Sequence, residues 1–304
     1  MTPIKTKRAH TRRSARSLGP PLFHPTPMVL YLGGANTSIA DVGSLPEEMQ
    51  PLLLLLAFLL PPTAGIDLII RGHEAKPHSR PYMAYLQIWN RGTRTWSSCG
   101  GFLIREDFVL TAAHCWGSSI NVTLGAHNIR KHEKTQQVIH VRRATRHPAY
   151  DSKRLFNDIM LLQLERKARL TSAVQPLKLP KHMGWVKPGD KCSVAGWGQT
   201  AMEGRGSDTL QEVTLTVQQD RTCELVYHQN YHKDTEICVG DPKTTNINFK
   251  GDSGGPLVCK KVTQGIVSGG RINGTPPRIY TKVSHFLPWI WKIMKYSSQR
   301  KPQN

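Results

Sequence analysis

The sequence predicts an all-β protein, and three observations carry that reading. Short apolar runs broken by polar positions recur from Ile69 onward, as in 82–89, 101–104, 159–164 and 265–268. Clusters of Gly, Pro, Asn and Asp separate these runs, the punctuation of a sandwich or barrel made from many short strands. The clearest helical pattern lies near the C-terminus, where Phe286, Ile290 and Ile293 share one face behind Pro288. No repeat of fixed period runs through the chain.

A length of 304 residues with 38% hydrophobic content allows a sizeable core and excludes a wholly disordered protein. The most apolar stretch, 51–60, is too short to span a bilayer, which takes roughly 20 apolar residues. A polytopic membrane protein is therefore excluded. Beginning at Met49, an apolar run, a Pro break and then small residues read as a secretory signal over 49–66. The 48 residues before it are rich in Arg, Ser, Pro and Gly and read as a disordered basic leader, with an alternative upstream start as its origin. The rival reading of this leader is a basic targeting arm.

Six cysteines (Cys99, Cys115, Cys192, Cys223, Cys238 and Cys259) lie behind that signal, with no CxxC pair and no metal-finger spacing. An even number in this context points to disulfides and an oxidising compartment. Six cysteines allow fifteen connectivities, and the residues alone leave the choice open. No metal or cofactor site is expected.

Three segments carry chemistry: Leu110-Thr-Ala-Ala-His114-Cys115, Phe156-Asn-Asp158-Ile-Met-Leu-Leu162, and Gly251-Asp252-Ser253-Gly254-Gly255-Pro256. A serine hydroxyl needs a base to become a nucleophile at neutral pH. Histidine titrates in the right range. A buried carboxylate fixes the imidazole tautomer and stabilises the imidazolium. A Gly-rich loop turns backbone N–H groups of Gly251 and Ser253 toward one point, an oxyanion hole. Singly, each feature has an ordinary structural explanation. In the order His, Asp, Ser they specify a nucleophilic hydrolase distinct from the α/β-hydrolase and subtilisin arrangements.

On these strings the chain, from Ile69 to about Tyr296, resembles the chymotrypsin-like serine proteases. The segments 69–84, 115–129, 194–199 and 249–256 resemble the granzymes, closest to the granzyme B and granzyme H types. The resemblance implies two six-stranded antiparallel β-barrels and a short C-terminal helix. His114 and Asp158 then belong to the first barrel and Ser253 to the second. It also implies the pairs Cys99–Cys115, Cys192–Cys259 and Cys223–Cys238. Phe249 stands where many relatives carry a further half-cystine. The implied organisation is an activation dipeptide at 67–68 and a protease domain over 69–304. The new α-ammonium of Ile69 then pairs with Asp252. Arg71 stands where granzymes carry Gly, and a side chain there restricts the backbone. It is expected to lower the active population without abolishing activity.

Specificity follows the same resemblance. Trypsin-like relatives place Asp where this chain has Ile247, so cleavage after Lys or Arg is not expected. Pro276-Pro277-Arg278 matches the granzyme B pattern, in which the arginine enters the pocket to meet a substrate Asp. Ser268, Gly269 and Gly270 form the wall that pairs with substrate backbone. Gly269 replaces a usual aromatic, which widens that wall. The tail after Lys282 is closer to granzyme H, so a chymase-like preference for large apolar residues is the alternative. A catalytically silent polyanion-binding homologue is the rival from another class.

The formal net charge is +20, of which +18 lies from Ile69 onward. Such a field favours sulfated proteoglycan, and no nucleic-acid module is present. The resemblance further implies granule storage and secretion, use in cytotoxic-lymphocyte killing of target cells, a monomer, serpin-type inhibitors and an activating dipeptidyl peptidase. Asn121-Val-Thr123 and Asn273-Gly-Thr275 are N-glycan acceptors in a secreted chain.

Overall fold

A computed structural model describes residues 72–181, 186–199, 205–244, 252–271 and 274–299. The chain divides into two units, Met1–Pro61 and Pro62–Asn304, and every described residue belongs to the second. The expected leader and signal lie outside the described residues, as do Ile69, Arg71, Ile247, Phe249, Gly251 and Asn273.

Among the described residues thirteen strands and two helices alternate with three short 3₁₀ turns. Strands β2 (Met83–Asn90), β3 (Thr95–Arg105), β4 (Phe108–Thr111), β5 (Ser119–Leu124), β6 (Gln137–Arg146) and β7 (Met160–Leu164) form a closed antiparallel barrel in the order β2-β3-β4-β7-β6-β5. Closure removes the exposed edges that an open sheet would leave. Leu86, Leu103, Val109, Val122, Ile139 and Leu162 share the inner face and are buried, while Phe102, Leu110 and Leu161 are buried on the opposite face of the wall. In β4 all four residues are buried, so this strand reads as a continuous apolar run.

The second sheet has the order β1-β9-β8-β11-β12-β13-β10. Its members are β1 (His73–Glu74), β8 (Lys191–Gly196), β9 (Gln211–Thr216), β10 (Glu236–Val239), β11 (Pro256–Cys259), β12 (Val262–Gly269) and β13 (Arg278–Lys282). Strands β8–β13 curl into a six-membered ring. The ring is completed by the single bridge Val217↔Val239 and by two bonds beside it, Gln218 N–H to Cys238 and Gly240 N–H to Thr216, both 2.8 Å. The two-residue β1 adds a seventh strand on the outside of β9. A core of Val194, Val213, Leu215, Leu257 and Tyr280 fills this ring.

Helix α1 (Asp220–Tyr227) is pinned to β10 through the Cys223–Cys238 disulfide. Helix α2 (Leu287–Gln299) closes the chain, and its inward residue Ile290 is buried. Ile293 is partly buried and packs on the first barrel's core with Phe286. Among the described residues no helix is long and apolar enough to cross a membrane.

The two barrels meet at glycines. Gly100 of β3 donates its N–H to the Ser253 carbonyl at 2.8 Å, and the Gly254 N–H bonds Val267 of β12 at 2.8 Å. Gly254 has φ 82°, and a Cβ there would stand 2.5 Å from the Gly100 carbonyl oxygen and 2.1 Å from Thr111 Oγ1. Both the backbone conformation and the space demand glycine. Gly254→Ala is therefore expected to cost about 3 kcal/mol or more in stability. Thermal denaturation of the folded enzyme measures this, and an unchanged midpoint would show that the contact yields without cost.

Candidate active site

The chain leaves β4 through Ala112 and enters the 3₁₀ turn Ala113–Cys115. Ala112 and Ala113 are small and fully buried, so this turn seats directly on the barrel core. The disulfide Cys99–Cys115 ties it to β3, with Cα atoms 6.1 Å apart. His114 is thus held from both sides while its side chain stays 25% exposed.

Asp158 is presented by a different device. Asn157 has φ 55°, a conformation that Asn tolerates better than most residues, and its side-chain amide donates to the Ala149 carbonyl at 2.8 Å. Asp158 follows with its side chain fully buried. A buried carboxylate must be hydrogen-bonded to be tolerated, and this one is well supplied. Its Oδ1 accepts the His114 backbone N–H at 2.9 Å. Its Oδ2 lies 2.7 Å from His114 Nδ1 and accepts the Ser268 hydroxyl at 2.6 Å. Its backbone carbonyl accepts the Thr281 hydroxyl at 2.9 Å. With Nδ1 fixed on a carboxylate, the imidazole turns Nε2 outward, the arrangement of a general base.

Ser253 immediately precedes Gly254 and is half-buried, anchored through its carbonyl on Gly100. Asp252 is buried and accepts the Gly198 N–H at 2.9 Å. The aspartate fits because residue 196 is glycine: a Cβ there would lie 2.1 Å from Asp252 Oδ1.

A positive group sits on β13, the strand that also carries Thr281. Arg278 opens β13, and its guanidinium lies flat on Gly270, where a Cβ would stand 2.7 Å from Cζ and 2.8 Å from Nε. Its Nε is buried and has no hydrogen-bond partner among the described residues. Tyr227 donates to the adjacent Pro277 carbonyl at 2.5 Å, and burial pushes its hydroxyl pKa up. Gly269 stands beside Leu155, whose Cδ1 is 3.4 Å from an added Cβ.

The remaining expected positions fall as follows. The disulfides are Cys99–Cys115, Cys192–Cys259 and Cys223–Cys238. Asn121 is half-buried on β5, and its Oδ1 meets His140 Nδ1 at 3.0 Å. Cys99, Cys115 and His114 place three metal-type atoms within 4.8 Å, but the two sulfurs are bonded to each other and offer no thiolate.

Three contributions escaped the sequence reading. Ser268 is expected there as part of the substrate wall, but its hydroxyl bond to Asp158 is not. Thr281 lies 123 residues from Asp158, with no local signal to join them. Glu236 is the third: it sits on β10 opposite Thr281, 3% exposed, in a run of four buried residues. Its Oε2 accepts the His232 N–H at 2.7 Å. Burial pushes its pKa up to about 7, and the negative charge of Asp158 adds to the rise.

Residues 69–290 match the Trypsin family. The chain belongs to that family. It is 66% identical to human granzyme B over 247 residues, covering 81% of this chain and 99% of the relative. Human granzyme H is 65% identical over the same length and coverage. Human cathepsin G is 58% identical over 247 residues, or 81% of this chain and 95% of the relative. A solved structure of GrC superposes with a TM-score of 0.72 at 52% identity, covering 74% of this chain and 99% of that one. This trypsin-family protein is a serine endopeptidase of the granzyme type.

The raised pKa of Glu236 has a sign. A carboxyl whose folded pKa lies above its unfolded value favours the fold most at acidic pH and costs stability as pH rises through about 7. The full shift corresponds to about 3 kcal/mol. The loss begins as the unfolded carboxyl ionises near 4.5 and is complete near 7, so Glu236→Gln, which stays neutral, should match the wild type at about pH 4 and exceed it in melting temperature at about pH 8. Parallel pH–melting curves for the two proteins would show that Glu236 is not buried as an acid.

Proposed function

We propose that this enzyme hydrolyses peptide bonds after Asp, with His114, Asp158 and Ser253 as its catalytic triad. The observation that carries the specificity is the buried, unpartnered Nε of Arg278. An uncompensated buried donor on a cation is costly unless an acceptor arrives, and a substrate carboxylate is the complement in both charge and geometry. Gly270 leaves the room in which that guanidinium lies.

In this reading Ser253 Oγ attacks the carbonyl carbon as His114 Nε2 takes its proton. The N–H groups of Gly251 and Ser253 receive the oxyanion. The imidazolium then protonates the leaving amine, and water hydrolyses the acyl-enzyme by the same path in reverse. The Asp158 carboxylate stabilises the imidazolium charge of His114, and Ser268 and Thr281 hold Asp158. Asp252 pairs with the Ile69 ammonium after activation, and Ile247 lines the pocket base. Resemblance to granzymes supports synthesis as a secreted zymogen, with an activation dipeptide at 67–68 ahead of the protease domain 69–304, storage in cytolytic granules on sulfated proteoglycan, and use in killing target cells. It also supports serpin-type inhibitors, a dipeptidyl peptidase as activator, and N-glycans on Asn121 and Asn273.

Ser253→Ala in the processed enzyme should lower kcat on the order of 10⁶-fold. Residual cleavage at wild-type rate would remove the triad assignment, and failure of the folded wild type to react with a serine-directed phosphonate would favour a silent homologue. Arg278→Gly should lose about 2–5 kcal/mol of transition-state binding for Asp substrates, which is at least ~30-fold in kcat/KM. Unchanged Asp selectivity in that variant would discard the role of Arg278. Wild-type cleavage after Phe or Leu in place of Asp would select the chymase-like reading.

A further inference from the structure

Glu236 is a buried acid that the mechanism above does not use. It lies in a strand whose other three residues are buried too, and it makes no ion pair among the described residues. A carboxyl is expensive to keep in such a place. Glutamine has the same shape and would accept the same His232 N–H. An acid retained against that cost, beside a reactive centre, points to a use for its charge.

Its register in the sheet says where the charge acts. Glu236 stands directly opposite Thr281 of β13, and side chains directly opposed on antiparallel strands share a face and touch. Thr281 donates its hydroxyl to the Asp158 carbonyl at 2.9 Å. Glu236 is therefore one side chain removed from the aspartate that orients His114. Arg278 lies three residues before Thr281 on β13 and so points to the other face. The acid addresses the catalytic base and not the specificity cation.

The other titratable groups around Glu236 leave its charge in place. Lys282 is within electrostatic reach, but its Nζ is held on the Lys233 carbonyl. Asp220 of α1 accepts the Tyr231 hydroxyl at 2.5 Å. Glu236 lines a cavity of about 540 Å³ together with Asp220, Asp234, Lys282 and His285. Asp220 and Asp234 are exposed, so this cavity opens to water and gives Glu236 a route for its proton that does not pass His114.

We propose that Glu236 is a positioning residue for the catalytic base: its carboxylate is a second buried negative charge behind Asp158 and stabilises the His114 imidazolium in the transition state. This rests on the triad assigned above. The attraction carries across the interior because charges are weakly screened there. Burial, with the charge of Asp158 added, pushes the Glu236 pKa up to about 7. The second charge is therefore present in mildly alkaline solution and absent in acid. The ionisation that weakens the fold is the one that speeds the reaction, a trade of stability for activity.

The test follows the processed enzyme across pH with a serine-directed phosphonate, whose rate of attachment to Ser253 reports on the base without a choice of peptide. Wild type and Glu236→Gln should react at equal rates at about pH 5, where both side chains are neutral. At about pH 8 the wild type should be roughly threefold or more faster. Glu236→Gln is expected to be the more stable protein at the alkaline end, so a purely structural role would leave the ratio flat or move it the other way. Glu236→Asp restores the charge and should recover part of the rise. Asp234→Asn removes a charge from the exposed rim of the cavity and should follow the wild type at every pH. A ratio that stays flat with pH, or an equal loss in Asp234→Asn, would overturn the role of Glu236 while leaving the triad standing. No attachment to the folded wild type would overturn the triad and this role together.

Discussion

The burial of the Asp158 carboxylate is the constraint around which the rest is arranged. A charge taken fully out of water is tolerated only when its lone pairs are engaged. Its partners come from both barrels: the backbone and ring of His114 from the first and the Ser268 hydroxyl from the second, where the Thr281 hydroxyl also holds the Asp158 backbone carbonyl. Neither barrel alone satisfies it. The same bonds that stabilise the charge therefore set the relative position of the barrels, and with it the position of the base. Orientation of His114 and docking of two β-rings are one physical event.

The glycines around Ser253 extend the same logic. Gly100, Gly196 and Gly254 are each placed where a methyl group would meet an atom of the opposing segment or of Asp252. Close approach of backbones carries the nucleophile loop against the first barrel, and packed methyl groups would have kept them apart. Arg278 on Gly270 repeats the device, with a cation in place of a backbone.

Much of this was legible in the chain. The alternating runs gave strands because their period is local, and the helical face of Phe286 and Ile290 is local too. The strings around His114, Asp158 and Ser253 are contiguous and chemically specific. What escaped has a common cause. Ser268, Thr281 and Glu236 act through contacts across strands, and sequence periodicity reports the face of a strand without naming the opposite residue. Glu236 was further hidden because its strand is buried throughout and shows no alternation. Disulfide connectivity had fifteen solutions by arithmetic; only the resemblance chose one. The two-residue β1 is too short for any pattern to register.

The seam of the second ring carries a last consequence. Elsewhere in that ring neighbouring strands share ladders, whereas β9 and β10 meet through one bridge and its two flanking bonds. Opening this ring is cheapest along its least-bonded junction. Val239, at that junction, is the residue paired with Arg278. Arg278 is thus paired with a strand that borders the least-bonded junction of the ring. Displacement of Arg278 and breathing of the barrel are thereby coupled, so a stitch placed across the seam would restrict both.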